Sequence, residues 1–192
     1  ALEDNLDVVA EASNGPEAIG LAKELEPDLI ILDLNMQGMD GHETLKRMRD
    51  DGVTSRIVML TVSDSNEDVI KAISLGADGY LLKDSDPDDL LAQIKKAVHG
   101  KMVLSDAVNA ALADAIRRPV EKPVTDISNL TNRELEILEL IAKGLSNKLI
   151  ARELDISDGT VKVHVKHLLK KLNLRSRVEA AVWMVSFQGK PA

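Results

Sequence analysis

The apolar residues of the chain follow two different patterns. Strand-like runs alternate with helical stretches in the first half, whereas the second half is helical throughout. Over roughly the first hundred residues, short β-rich runs alternate with amphipathic stretches of helical length, a pattern typical of a parallel sheet flanked by helices. The predicted strands are residues 6–10, 29–33, 56–61 and 80–83. The second of these, LIILD, is an apolar run that ends in a carboxylate, as expected of a strand buried on both faces.

Helical stretches follow these strands. They cover residues 16–25, 41–49, 66–74 and 86–99. Asp86 can cap the last of them, with Pro87 at its favoured first position. A further helical pattern covers 105–116, and Pro119 and Pro123 mark a linker behind it.

Beyond the linker every pattern is helical. Thr131 and Glu134 form a T-x-x-E capping box for a first helix, and Ser146 and Ser157 can cap the second and third. Residues 177–187 form a fourth. We therefore predict an α/β domain over 1–104, a connector over 105–127 and an all-α, four-helix domain over 128–192.

Charge separates the two predicted domains. From Ser128 onward, eleven Lys and Arg face seven Asp and Glu, a net charge of +4, which leaves −12 for residues 1–127. Such asymmetry suggests that the second domain binds nucleic acid. Aromatic residues make up only 2% of the chain, so base stacking on single strands is a poor expectation and double-stranded DNA the better one.

Two absences in the sequence narrow its class. Without cysteine the chain can form neither a disulfide nor a thiolate metal site, which suits the cytoplasm. No apolar run has the roughly 18 residues of a membrane span, and the first residues, ALEDNLD, are unlike a signal peptide. We expect a soluble cytoplasmic protein with no membrane partner.

Polar residues stand at the carboxyl ends of three predicted strands, where open α/β sheets collect ligands: Asp33, Thr61 and Lys83. Alone, each has an ordinary explanation as a turn cap, a strand residue or a solvated lysine. Together they suit phosphate chemistry, since a carboxylate can attack phosphorus, an ammonium can neutralise the phosphoryl charge and a hydroxyl can donate to its oxygens.

These motifs resemble a known family. DLNMQGMDG, LTVSD and GADGYLLKD are similar to the receiver domain of bacterial two-component response regulators. LTNRELEIL, GLSNKLIARELDIS and TVKVHVKHLLKKL resemble the LuxR-type helix-turn-helix domain of the NarL/FixJ family. TVKVHVKH and SRVEAAVW look like its nitrate and nitrite regulators. The resemblance implies a flavodoxin-like (CheY-like) receiver before the four-helix DNA-binding domain.

The resemblance also implies roles for single residues of the receiver. Asp33 would accept a phosphoryl group from a sensor histidine kinase, Thr61 and Tyr80 would respond to it, and Lys83 would pair with it. The Asp33 carboxylate and the backbone carbonyl of Asn35 would coordinate Mg²⁺. We expect that the protein is not an enzyme, because an enzyme would leave the basic second domain without a role.

The start of the chain departs from the family pattern. The family begins with a strand that ends in two acidic residues, followed by a helix, and this sequence contains neither. We expect a receiver that lacks its first strand and helix through truncation of the chain. Without the acidic pair, Mg²⁺ binding should be weak or absent and phosphotransfer to Asp33 poor.

In the second domain, residues 146–153 would brace the motif, 154–156 would form the turn, and 157–172 would be the recognition helix. Its apolar face would pack inward, and Lys162, Val163 and Lys166 would face bases. The expected phosphate contacts are Asn147, Lys148, Thr160, His167, Lys170 and Arg177. The expected stripe for a homodimer on DNA is Val178, Ala181, Val182 and Val185.

Three hypotheses remain open. The leading one is a transcription regulator whose receiver blocks the recognition helix until Asp33 is phosphorylated. A second is a haloacid-dehalogenase-like phosphatase, but this class needs an Asp where the chain has Asn35. A third is a constitutive DNA-binding protein with a defective receiver.

Overall fold

The computed structural model describes residues 6–63, 65–98, 103–104 and 127–188. The chain divides into two compact units, Ala1–Arg117 and Arg118–Ala192. None of the helices in the described ranges has the length and apolar character needed to cross a membrane. The predicted connector helix over 105–116 lies outside the described residues.

The first unit contains a parallel sheet of order β1-β2-β3-β4. The strands are β1 Leu29–Asp33, β2 Arg56–Thr61, β3 Gly79–Leu82 and β4 Val103–Leu104. Asp33 lies opposite Leu60 on β2, and Thr61 lies opposite Leu82 on β3. All strands run in one direction, so their carboxyl ends meet at one edge of the sheet, and the predicted polar residues gather there.

The helices of this unit are α1 Gly15–Leu25, α2 Gly41–Asp50, α3 Asn66–Ser74 and α4 Pro87–Val98. All four confirm the predicted helices to within about two residues. Local capping explains part of this agreement: the Asn14 side chain accepts a hydrogen bond from the Glu17 amide, and Asp40 accepts one from Glu43.

β2 and β3 are buried on both faces, whereas β1, which the sequence predicted to be so, is fully buried only at Leu32. One face packs Leu32, Ile57 and Met59 in a cluster with residues of α1, α2 and α3. The other face packs Val58 and Leu81 against α4. Ile31 lies on the outer strand of the sheet and keeps 43% of its surface exposed.

The predicted strand over residues 6–10 is wrong. The segment has no regular secondary structure and pairs with no described strand, and Leu6, Val8 and Val9 are exposed. A strand exists only through a hydrogen-bonded neighbour, and β1 is the end of the described sheet. The β-rich composition of LDVVA cannot supply that neighbour.

A buried ion pair between Arg49 and Asp78 lies at the amino-terminal ends of the strands. The Arg49 guanidinium donates to Asp78 Oδ2 at 2.6 Å and to the carbonyl oxygens of Val53, Ser55 and Gly76, while the Ile57 amide donates to the same Asp78 oxygen. Burial lowers the pKa of Arg49, and the Asp78 carboxylate acts in the opposite direction. The pair joins the end of α2 to the starts of β2 and β3.

The described part of the second unit is helical. After a 3₁₀ turn over Ile127–Asn129 come α5 Asn132–Ala142, α6 Asn147–Glu153, α7 Asp158–Lys171 and α8 Arg177–Gln188. The capping box of Thr131 and Glu134 is present, and the side chains of Ser146 and Ser157 cap α6 and α7 as predicted. These bounds confirm the predicted helices and the turn between α6 and α7.

The four helices share one apolar core. Ile137 and Leu138 of α5, Ile150 of α6 and Val161 and Leu168 of α7 are fully buried. The chain turns between α6 and α7 at Asp155, whose φ of 51° is left-handed. That turn allows α6 and α7 to pack against the same core while the far side of α7 stays open to solvent.

Candidate phosphoacceptor site and nucleic-acid interface

Asp33 and Lys83 meet at the carboxyl edge of the sheet. Lys83 Nζ donates to Asp33 Oδ2 at 2.6 Å, and the Lys83 amide donates to the Thr61 carbonyl at 2.8 Å. The sequence predicted that Lys83 is the last residue of its strand, but β3 ends at Leu82 and Lys83 is the residue after it. Both side chains keep about a third or more of their surface exposed, 33% for Asp33 and 40% for Lys83, so solutes can reach the pair.

The loop after β1 shapes the site around Asp33. The Asn35 amide donates to Asp33 Oδ1 at 3.1 Å, so each carboxylate oxygen has a donor. Gly41 starts α2 directly against this loop, and a Cβ there would collide with the Asp33 backbone oxygen. Only glycine permits this approach, which brings the first turn of α2 to the strand end.

Thr61 and Tyr80 are both fully buried and meet at Ser63. Thr61 Oγ1 accepts from the Ser63 amide at 3.1 Å, and the Tyr80 hydroxyl donates to the Ser63 carbonyl at 3.0 Å. The Ser63 hydroxyl donates to Asp68 Oδ2 at 2.6 Å. The sequence analysis missed Ser63; its place two residues beyond the strand-end Thr61 was the available signal.

His42 is a second residue that the sequence analysis missed. It is buried in the first turn of α2, and its Nε2 lies 3.2 Å from the Asp68 carbonyl oxygen of α3. A carbonyl oxygen can only accept, so Nε2 carries the proton. His42 thus ties α2 to α3 behind the site.

The described residues offer a sparse set of ligands for Mg²⁺. Receiver domains as a class use this ion for phosphorylation, and here the oxygen donors at the strand end are the Asp33 carboxylate and the Asn35 carbonyl. Across the described ranges, no group of three or more His, Cys, Asp or Glu side chains could hold a metal ion.

Helix α7 has one buried face and one open face. Val161, Val165, Leu168 and Leu172 are buried in the core. Thr160, Lys166, His167 and Lys170 are exposed, and Val163 is 52% exposed. The predicted base-facing and phosphate-facing groups of α7 therefore share the solvent side, with an apolar residue among them.

Lys162, one of the expected base contacts, has an intramolecular partner. Lys162 is partly buried, and its Nζ lies 3.6 Å from Asp158 Oδ2 one turn earlier in α7. Lys148 of α6 is exposed, whereas Asn147 beside it is partly buried. Both helices thus still present a cation, with Lys162 held along the helix.

Arg177, one of the expected phosphate contacts, has hydrogen-bond partners inside the second unit. It is buried, and its guanidinium donates to Asn147 Oδ1 at 2.9 Å and to the Leu145 carbonyl at 2.5 Å. These bonds tie the start of α8 to the turn before α6. Since these bonds direct the guanidinium inward, the geometry gives no support to the expected phosphate contact.

The predicted dimerisation stripe lies on α8. Val182 and Val185 are exposed, by 45% and 60%, while Val178 and Ala181 are partly buried. Ala180 and Met184 fill the core on the opposite side. Phe187, which the sequence analysis did not include, is 47% exposed and stacks on Trp183 with 5.3 Å between ring centroids.

A charged contact joins the end of α7 to the start of α5. Lys171 Nζ lies 2.7 Å from Glu134 Oε2, which also accepts from the amide and hydroxyl of Thr131. Burial raises the pKa of Glu134, but hydrogen bonds from Lys171 and Thr131 and the Lys171 charge lower it, and the net pKa lies below its ordinary value. Glu134 thus stays a carboxylate.

Both units match known families. Residues 1–95 match the family described as "Response regulator receiver domain", and residues 128–184 match "Bacterial regulatory proteins, luxR family". Each matched range falls in one compact unit.

Whole-chain relatives carry both domains. The chain is 54% identical over 184 residues to the nitrate/nitrite response regulator protein NarL of Escherichia coli K12, spanning 96% of this chain and 85% of NarL. It is 50% identical over 188 residues to NarP of the same strain, spanning 98% and 86%. A LuxR-family response regulator structure from Aurantimonas sp. SI85-9A1 superposes with a TM-score of 0.52 at 32% identity, covering 58% of this chain and 79% of that one.

A receiver unit joined to a LuxR-type helical unit defines a phosphorylation-controlled transcription regulator of the two-component class. The chain belongs to the response regulators of the NarL/FixJ family, with NarL and NarP among its relatives. Its relatives regulate transcription, and their class is not enzymatic.

Proposed function

We propose that this chain regulates transcription in response to nitrate or nitrite, through a phosphoryl group that a sensor histidine kinase places on Asp33. The signal is suggested by the names of its relatives NarL and NarP. The observation that carries the site assignment is the solvent-accessible contact of 2.6 Å between Asp33 and Lys83 at the strand end. A regulator of genes acts where the DNA lies, so we propose a cytoplasmic location.

The chemistry follows from these groups. An oxygen of Asp33 forms a bond to phosphorus while the bond from phosphorus to the donor breaks, and the product carries about −1.5 to −2 charges. Lys83 already donates to Asp33 and would pair with that charge. Thr61 and Tyr80 are both hydrogen-bonded to the backbone of Ser63. A movement of the Thr61 hydroxyl toward phosphate would therefore displace Ser63 and alter its bond with the Tyr80 hydroxyl.

We further propose that Mg²⁺ binds weakly at Asp33 and Asn35, since the described ligands include one carboxylate. Phosphate uptake from a small phosphodonor should then rise through the millimolar range of Mg²⁺ without reaching a plateau. The matched Asp33→Asn variant sets the background. Stoichiometric labelling of Asp33 at low Mg²⁺ would rule out this weak binding.

For the DNA-binding unit we propose that α7 enters the major groove, with Lys162, Val163 and Lys166 at the bases. Lys148, Thr160, His167 and Lys170 are the phosphate contacts that we retain, with Asn147 at the edge of the set. The α8 stripe of Val178, Ala181, Val182 and Val185 would pair two copies on a two-fold site.

One experiment tests the regulatory proposal on the full chain. A DNA duplex is first selected from a random library by the phosphodonor-treated protein, and its affinity is then measured with and without the donor. We expect the donor to increase affinity for the selected duplex, and Asp33→Asn to remove that increase. An equal increase in Asp33→Asn would exclude Asp33 as the control point.

A constitutive DNA-binding protein is the second candidate. It is favoured by the sparse Mg²⁺ ligands of the described residues, which predict little phosphorylation. In that case the untreated chain, the treated chain and Asp33→Asn bind the selected duplex equally well.

A further inference from the structure

Lys171 is the last residue of α7 and belongs by sequence to the cations of the recognition helix. Its Nζ is nevertheless directed to Glu134 Oε2, 2.7 Å away, and the Glu134 side chain is only 4% exposed. Lys171 keeps 38% of its side-chain surface exposed, and its neighbour Lys170 is exposed as well, so the Glu134 bond and not burial distinguishes Lys171. Two adjacent lysines of one helix therefore have different surroundings.

Glu134 connects two helix ends through a single oxygen. Oε2 accepts from the Thr131 amide at 2.8 Å and the Thr131 hydroxyl at 3.0 Å, which closes the start of α5, and from Lys171 at the end of α7. The described core residues of α7 are apolar: Val161, Val165, Leu168 and Leu169. Apolar contacts have no direction, whereas a charged hydrogen bond fixes both distance and angle.

We infer that Glu134 and Lys171 are positioning residues for DNA recognition: their contact fixes how α7 is placed, and thereby which bases Lys162, Val163 and Lys166 reach, while Lys171 itself contacts no phosphate. This inference rests on the proposed role of α7 as the reading helix. It assigns the last lysine pair of α7 two separate tasks, with Lys170 at the backbone of DNA and Lys171 bonded to Glu134.

Salt dependence separates these two tasks. The full chain, Lys171→Gln and Lys170→Gln are compared on the selected duplex and on a random duplex over a range of salt concentrations. Lys170→Gln should lower the affinity for both duplexes equally. It should also reduce the slope of log affinity against log salt concentration by about one. Lys171→Gln should lower the affinity for the selected duplex by roughly tenfold, near the lower part of the range for one lost base contact. The salt slope should stay unchanged.

Glu134→Gln tests the partner, because glutamine still suits the capping box and removes only the charge. We expect Glu134→Gln to lower the ratio of selected to random binding as much as Lys171→Gln does, the double variant to lower it no further, and Lys171→Arg to restore it. Trp183 fluorescence checks that each variant is folded under the binding conditions. Lys171 is partly exposed, so its variants keep the test valid if Glu134→Gln does not fold.

Three results would overturn the inference: a smaller salt slope in Lys171→Gln, additive losses in the double variant, or folded variants with an unchanged binding ratio. The last result would leave Glu134 and Lys171 a role in stability alone. A failure of the proposed function is distinguishable, because the unsubstituted chain would then show no preference for any selected duplex.

Discussion

Glu134 is a carboxylate kept charged inside a helical core. Its pKa in the folded chain lies below the unfolded value of about 4.3, so its charged form stabilises the fold above that pH, and this contribution is lost as pH falls through the folded pKa. Glu134→Gln removes the charge at every pH.

The first prediction concerns this pH window. At pH 7, Glu134→Gln should lower the free energy of unfolding of the second unit by about 1–3 kcal/mol, the range for a hydrogen bond to a charged group. The difference should shrink below about pH 4, where the native carboxylate also protonates. Urea titrations followed by the fluorescence of Trp183, the one tryptophan of the sequence, measure it. A difference that is constant down to acid pH would contradict this account.

Arg49 illustrates the opposite case, a buried cation with its bonds directed to backbone. Arg49→Met would leave the Asp78 carboxylate buried without its ion-pair partner, at a cost of about 3–5 kcal/mol. Far-ultraviolet circular dichroism should show unfolding of the first unit at lower urea, while Trp183 fluorescence stays unchanged. Lys46→Met, which removes an exposed pair with Asp50, is the matched control and should cost under about 1 kcal/mol.

At the scale of elements, two glycines in helices have opposite surroundings. Gly20 lies inside α1, and a Cβ there would contact nothing within 4 Å. Gly20→Ala should therefore raise the free energy of unfolding by about 0.5–1 kcal/mol. Gly41→Ala should lower it, since the new Cβ meets the Asp33 and Leu34 backbone. Urea denaturation of both variants gives the two signs, and stabilisation by both would refute the close approach of α2.

The elements that the sequence predicted well are those with local signals. Helix α3 occupies the predicted residues, and the Thr131 capping box is present where the motif lies. Residues 6–10 failed because a strand depends on a partner elsewhere in the chain. The two-residue β4 was missed for the same reason, since only its pairing with β3 defines it.

The candidate sites divide along the same line. The order of parallel strands was enough to predict that Asp33 and Lys83 meet, because carboxyl ends share one edge. Sequence could not tell which way a cation on a helix points. Arg177 is buried and bonded to Asn147, and Lys171 is exposed but bonded to Glu134, whereas Lys166 and Lys170 are exposed on the solvent side of α7.

At the scale of the whole molecule, our proposal makes the assembly on DNA depend on α8. Val185→Glu places a charge on the exposed stripe, so we expect the full chain to occupy a two-fold duplex as one copy instead of two. Leu91→Glu on α4 is the matched control, since Leu91 is also an exposed apolar residue, at 45% against 60%. Sedimentation of the protein–DNA complex gives the stoichiometry, and a two-copy complex with Val185→Glu would show that α8 does not pair the copies.

The contact of Thr61 and Tyr80 at Ser63 has a genetic consequence. Both bonds use the backbone of residue 63, its amide and its carbonyl, and every amino acid offers both groups except proline, which lacks the N–H. A saturation library at codon 63 should therefore retain a working link between the two side chains in almost all of its members. The link therefore depends on the backbone conformation at residue 63 more than on which amino acid occupies this position.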